Sequence, residues 1–213
     1  SACPVLIGTR ENYNTREDFP TSLFNHVIAA VSVDNRLVFL DPTAETCAFD
    51  DLPRGDQQRK VLLIKPDGYQ LQDTPLYPAE HNLVRQRLLM KVNPDESIAT
   101  EKSVFTYGIY DQMQRFWLLY TPPELIQESL KEKIQEFSIG ARLEKHHIEN
   151  LTNLNTPVYL SYSFQGPEYF ASAGNLRVMP QLAYFDISLV AKEKRKYPID
   201  FSVLDIDESI LTV

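Results

Sequence analysis

The chain has 213 residues, 43% of them hydrophobic and 23% charged, which is typical of soluble globular proteins and enough for one large domain or two small ones. Its net charge of -8 argues against nucleic-acid binding, because proteins that bind nucleic acids usually carry a basic face. No apolar run is long enough for a membrane span, and with only 7 glycines the chain offers no Gly-rich phosphate loop.

The first predicted elements are a strand over residues 5–9, a polar loop over 11–20 and a β-hairpin. The hairpin strands are residues 27–33, rich in Val, Ile and Ala, and residues 36–40, which read RLVFL. Between them, Asp34-Asn35 tolerates the positive φ angles of a two-residue turn.

This turn sets the register of the hairpin. It places Val33 opposite Arg36 and, counting back, Ile28 opposite Asp41. His26 lies on the same face as Ile28, because side chains alternate along a strand. His26 and Asp41 are then diagonal neighbours, with Cβ atoms roughly 7 Å apart. A three-residue turn would send Asp41 to the opposite face.

His26 and Asp41 are two members of a Cys-His-Asp constellation. In such a site the imidazole lowers the pKa of the cysteine thiol, and the carboxylate fixes the tautomer and orientation of the imidazole. The alternative is a histidine at a sheet edge, with residues 41–43 merely closing the strand as a turn. Spacing alone favours this alternative, since short motifs match by chance.

The first segment ends in a strand and a linker. KVLLIK over residues 60–65 predicts another strand, and Pro66-Asp67-Gly68 is a strong turn signal. The run over 70–82 contains two prolines and predicts a linker. We therefore expect one unit over residues 1–80 and a second over 81–213.

The second unit is predicted to be a β-sandwich with a helical insert at about residues 109–138. The first helix of the insert is predicted over 111–119. The second follows Thr121-Pro122-Pro123-Glu124, a capping box with proline at the first helical position. Its apolar stripe consists of Ile126, Leu130, Ile134 and Phe137. The remaining strands are predicted over 82–92, 97–107, 141–148, 157–164 and 176–180, with an apolar stretch over 184–190.

Neither cysteine fits the role of nucleophile. Cys3 precedes a predicted strand, so no helix N-terminus is available to lower its pKa. Cys47 sits among Glu45, Asp50 and Asp51, whose charges raise the pKa of a thiol, and a buried structural role is favoured. A disulfide between Cys3 and Cys47 is an open alternative in an oxidising compartment.

No metal or cofactor is expected. His146 and His147 are adjacent on a predicted strand, so they point to opposite faces and cannot hold one ion together. Glu80-His81 lies in the predicted linker, and no second cluster of metal-binding residues is near it in sequence.

The blocks NHVIAAV, RLVFLDPT and DLPRGDQQRKVLLI resemble the C-terminal part of the bacterial transglutaminase-like core, a papain-like fold with the catalytic order Cys, His, Asp. In that family the His and Asp lie on adjacent strands and Pro-Thr follows the Asp, as in Asp41-Pro42-Thr43. His26 and Asp41 are the matching residues. VLIGTREN resembles the strand that leads out of the nucleophile helix, and the rest of the chain resembles the β-rich C-terminal domain of the same multidomain proteins. The family's cysteine motif, a Gly-Asp-Cys-type helix start, is absent from these residues.

The resemblance implies an α+β fold, with an antiparallel remnant of the transglutaminase-like core over 1–80 and a β-sandwich-type domain over 81–213. It implies a fragment of a bacterial cysteine enzyme for acyl transfer or amide hydrolysis, inactive in isolation and directed at a protein or peptide, with His26 as base and Asp41 as orienting carboxylate. The alternative is a non-catalytic binding or scaffold protein that recognises protein or glycan. An exported or periplasmic location, and self-association through an uncovered face of the core, are further expectations.

Overall fold

The structure is a computed structural model that describes residues 2–12, 23–179, 191, 193–197, 199, 201 and 203–213. Its first sheet has the order β3-β2-β1-β4-β5, and every neighbouring pair in it is antiparallel. These strands are β1 (Ala2–Ile7), β2 (His26–Val33), β3 (Arg36–Leu40), β4 (Lys60–Lys65) and β5 (Gly68–Asp73).

One face of the first sheet forms a core. Val5 on the central strand lies opposite Ile28 on one side and Leu63 on the other, and all three side chains are buried. The loop after β3 contributes Leu52 to the same cluster, so this loop covers the face that also carries His26. Other apolar side chains of the sheet, such as Val27, are exposed. Self-association of this sheet stays a prediction.

The second sheet has the order β12-β6-β7-β9-β8 and is antiparallel except for the parallel pair β6–β12. A separate ribbon consists of β10 and β11. The strands are β6 (Leu83–Val92), β7 (Ile98–Thr106), β8 (Arg142–Glu149), β9 (Tyr159–Gly166), β10 (Ala171–Ala173), β11 (Leu176–Val178) and β12 (Ile206–Thr212).

Two helices, α1 (Ile109–Tyr120) and α2 (Pro123–Gln135), pack on the second sheet. The predicted stripe of α2 is confirmed, because Ile126, Leu130 and Ile134 are buried against strand residues such as Phe164. The α+β class is confirmed. The two helices were predicted as an insert in a β-sandwich. In the structure they form a layer that covers the second sheet.

Two local predictions need correction. The capping box before α2 is wrong, because Pro122 occupies the cap position and has no side-chain oxygen with which to bond the helix. The predicted linker over 70–82 begins too early, because residues 70–73 belong to β5, a mostly exposed strand whose polar residues conceal its pairing with β4. The apolar stretch over 184–190 lies outside the described residues.

Polar contacts join the two sheets. His81 Nε2 lies 3.1 Å from Asp51 Oδ1, and Gln112 Nε2 of α1 donates to the other oxygen of Asp51 at 2.8 Å. Asn82 Oδ1 accepts a hydrogen bond from the Ile109 amide at the start of α1. Among the described residues, no helix is both long enough and apolar enough to cross a membrane.

Candidate His–Asp site

The hairpin that carries the candidate site has the predicted turn. Asp34 and Asn35 have φ angles of 48° and 62°, as a two-residue turn of type I′ requires. Val33 pairs with Arg36 and Ala29 with Leu40, so the register counted from the sequence is confirmed. β2 lies between β1 and β3 and is therefore not an edge strand.

His26 and Asp41 meet on one face of this hairpin. The His26 Nε2 and Asp41 Oδ2 atoms are 3.0 Å apart, a hydrogen-bonding distance. The Asp41 side chain is 6% exposed and the His26 side chain 26%, so the carboxylate lies behind an imidazole that solvent can reach. Because Asp41 engages Nε2, the other ring nitrogen, Nδ1, is the one that a reacting group would approach.

A tight turn after β3 holds the Asp41 carboxylate in place. Its Oδ1 atom accepts hydrogen bonds from the Thr43 amide at 3.0 Å and the Thr43 hydroxyl at 2.8 Å. Burial alone would raise the pKa of Asp41, but the bonds from Thr43 and His26 outweigh burial and lower it. The turn interpretation of residues 41–43 and the dyad interpretation are therefore both realised, since the turn fixes one carboxylate oxygen and leaves the other for His26.

A third titratable side chain, Asp56, joins the pair and was not singled out from the sequence. It lies in the short 3-10 turn Arg54–Asp56 and is 2% exposed. Burial, with the nearby Asp41 charge, raises the pKa of Asp56 to about 6. Asp56 lies in an irregular loop, so no hydrophobic periodicity in the sequence singles it out. The loop is part of the block DLPRGDQQR.

The ligand atoms of His26, Asp41 and Asp56 all lie within 4.8 Å of one another, a spacing that one divalent cation could bridge. The site opens to a cavity of about 390 Å³ that these three residues help to line. Thr9 and Asn25 also line this cavity and are hydrogen-bonded to each other. The Thr9 amide donates to Asn25 Oδ1 at 2.9 Å, and Asn25 Nδ2 donates to Thr9 Oγ1 at 3.0 Å.

Neither cysteine fits the role of nucleophile beside this pair: Cys3 is too far from it, and the Cys47 thiol has a raised pKa. Cys3 lies opposite Ala30, whereas His26 lies opposite Ile7, four positions along β1 or about 13 Å at the usual strand rise. Burial raises the pKa of the Cys47 thiol, and Asp51, Asp41 and Asp56 raise it further. Two of these three carboxylates belong to the site itself. Both cysteines are free, so the disulfide left open by the sequence does not form.

The other histidine–carboxylate contacts differ from the candidate site. His147 and Glu149 are 2.8 Å apart on β8, but both side chains are more than half exposed. His81 contacts Asp51 at the junction of the sheets and stacks on Tyr77, with ring centroids 4.3 Å apart. His146 and His147 lie on a strand, as predicted.

Comparisons with family models, with curated proteins and with solved structures find no match to this chain.

Proposed function

We propose that this chain supplies the base and the orienting carboxylate of a transglutaminase-like cysteine site that acts on protein or peptide amides by acyl transfer or hydrolysis. The observation that carries the proposal is the 3.0 Å contact between His26 Nε2 and Asp41 Oδ2, on a carboxylate that Thr43 holds at its other oxygen. The resemblance of the flanking blocks to the transglutaminase-like core supports the same assignment.

The two residues have distinct roles in the proposed reaction. The carboxylate of Asp41 accepts a hydrogen bond from the Nε2–H group of His26, which fixes the tautomer with a free lone pair on Nδ1. Nδ1 then takes the proton of a cysteine thiol, and the resulting thiolate attacks the carbonyl carbon of the amide. The imidazolium returns this proton to the leaving amine, and water or a second amine releases the acyl group.

The thiol of the proposed reaction comes from outside these 213 residues. Cys3 is too far along β1, and the pKa of Cys47 is raised by burial and by negative charge, so its thiolate is disfavoured. The isolated chain is therefore expected to show no thiol-dependent amidase activity. Thiol-dependent turnover by the isolated chain would contradict this assignment, and its loss in Cys47→Ser would identify Cys47 as the nucleophile.

The first test is the protein sequence encoded upstream of Ser1. A cysteine at a helix start, in a Gly-Asp-Cys-type motif, supports the proposal. Another residue at that position contradicts it and favours the scaffold alternative.

The second test uses variants of the longer protein. His26→Ala and Asp41→Asn should each lower kcat by about a hundredfold or more, because proton transfer and imidazole orientation are lost. Circular dichroism and thermal melting check that both variants stay folded. His147→Ala is the matched control, since it removes an exposed histidine that also contacts a carboxylate. Equal losses in His26→Ala and His147→Ala would refute the assigned roles.

A further inference from the structure

A second cavity, of about 420 Å³, lies between the second sheet and its helices. Its apolar wall includes Val104 and Leu160 from the sheet and Met113 and Trp117 from α1. At about 30 Å³ per water molecule, the volume corresponds to roughly 14 waters, which is in the lower part of the range for small-molecule sites. The cavity is distant in sequence from the His26 hairpin and has no residue in common with it.

Two lysines bring positive charge to this cavity. Lys102 projects from β7, and its Nζ atom lies 4.9 Å from the ring centroid of Phe137. Lys133 projects from α2, with Nζ 5.3 Å from the ring centroid of Trp117. Within the described ranges neither lysine forms an ion pair, whereas Lys131 on the same helix pairs with Glu128.

The environment of Lys102 disfavours its positive charge. Burial lowers its pKa to about 8, and the neighbouring charge of Lys133 acts in the same direction, against Glu136 and Asp207. An anion beside Lys102 would offset both the cost of burying its charge and the repulsion from Lys133. In a chain with a net charge of -8, such a pair is an unusual feature.

The same cavity contains buried polar atoms without partners. Gln114 Nε2 on α1 and Thr106 Oγ1 on β7 are buried, line the cavity and have no hydrogen-bond partner among the described residues. Because both atoms are fully covered by protein, a ligand in the cavity does not reach them directly. The two ammonium groups are therefore the donors that favour an acceptor of negative charge.

We infer that this cavity is a binding site for a small amphipathic carboxylate, with the carboxylate between Lys102 and Lys133 and the apolar body against Val104, Leu160 and Trp117. The carboxylate accepts hydrogen bonds from the two ammonium groups. This inference is independent of the function proposed for His26 and Asp41, because it requires no catalysis.

The intrinsic fluorescence of the chain offers a direct test, because Trp117 is its only tryptophan and lines the cavity. We would titrate the whole chain with decanoate and with 4-phenylbutyrate, one linear and one aromatic carboxylate. Decanamide, which has the same tail without the charge, is the control ligand. At least one carboxylate should change the Trp117 emission saturably, and decanamide should bind about tenfold more weakly than decanoate if decanoate is that ligand.

Variants then test the position of the carboxylate. Lys102→Met and Lys133→Met should each weaken binding by about tenfold or more, because a charge-assisted hydrogen bond is lost. Lys131→Met removes the same charge from the same helix outside the cavity and should change affinity by no more than about twofold. Circular dichroism checks the fold, and if Lys102→Met does not fold, the comparison of Lys133→Met with Lys131→Met carries the test.

Three results would overturn the inference. One is the absence of a saturable change with both carboxylates. Another is equal affinity for decanoate and decanamide. The third is an equal effect of Lys131→Met and Lys133→Met on carboxylate affinity.

Discussion

His26 Nε2 and Asp41 Oδ2 lie 3.0 Å apart although His26 begins β2 and Asp41 directly follows β3, and the turn at Asp34-Asn35 determines that they share a face. The candidate site thus depends on backbone geometry at the far end of the hairpin. A shift of one residue in the register would place Asp41 on the opposite face of the sheet.

The turn can be tested at Asn35, whose φ angle is 62°. Asn35→Val should lower the free energy of unfolding by about 1–3 kcal/mol, because a β-branched residue is strained at positive φ. Asn35→Gly is the matched control and should leave stability unchanged or slightly higher, since glycine adopts this conformation without strain. Urea unfolding measures both variants, and equal stabilities would contradict the type I′ turn.

Asp56 should make stability depend on pH between about 4 and 6. Its folded-state pKa of about 6 lies above the usual 3.8, because burial and the Asp41 charge oppose ionisation while His26 and Arg59 partly favour it. The native state therefore binds this proton more tightly than the unfolded state. The stabilisation is complete below about pH 4 and is lost as the pH rises through about 6.

Asp56→Asn removes this ionisation and should therefore stabilise the protein at pH 7, by on the order of 3 kcal/mol. The advantage over the unmodified chain should shrink towards zero at pH 4. Urea unfolding at the two pH values, in the presence of EDTA, measures the difference. A variant that is less stable than the unmodified chain at pH 7 would contradict the prediction.

The pKa of His81 should depend on its contact with Asp51 at the junction between the sheets. The hydrogen bond and charge of Asp51 raise the pKa of His81 above 6.5, against the effect of burial. The resulting stabilisation is present in full below pH 6.5 and is lost as the pH rises through the folded-state pKa. In Asp51→Asn the pKa of His81 should fall, as an NMR titration of the imidazole would record. Glu149→Gln, which removes a carboxylate that contacts His147 instead, is the control and should leave the pKa of His81 unchanged.

Gly108 should be intolerant of any side chain. Its φ angle is 58°, and a Cβ atom there would lie 2.4 Å from Asn82 Oδ1 and 2.5 Å from the His81 carbonyl oxygen. Gly108→Ala should cost about 3 kcal/mol or more, from backbone strain and overlap together. Gly174→Ala is the control, because Gly174 has a φ of 62° with nothing within 4 Å and should lose only about 1 kcal/mol. Similar losses in thermal or urea unfolding would show that overlap at Gly108 contributes little.

The hairpin could be predicted because its determinants are local. The φ preferences of Asp34-Asn35 set the turn, and the two-residue period of a strand carries that register as far as His26. The helices were predictable for the same reason, since the apolar spacing of Ile126, Leu130 and Ile134 follows one face of α2.

Asp56 could not be predicted because distant parts of the chain set its environment. It reaches the site through an irregular loop, so its burial follows from tertiary packing and not from spacing. β5 was missed for another reason: it is a mostly exposed edge strand, and its alternation of Tyr69 and Leu71 with Gln70 and Gln72 is short. Lys102 of β7 and Lys133 of α2, which form no ion pair among the described residues, likewise line one cavity only in the folded chain.

The position of β6 between β7 and β12 has a consequence for synthesis on the ribosome. The ion pair between Arg85 and Glu208 joins residues 123 positions apart, while the antiparallel contact of β6 with β7 is local. A nascent chain can therefore form the β6–β7 hairpin early, but one edge of β6 stays open until residues 206–212 emerge. Open strand edges recruit other chains, and pairings of long sequence separation form slowly. The interval before β12 pairs is therefore the stage at which β6 is most open to pairing with another chain.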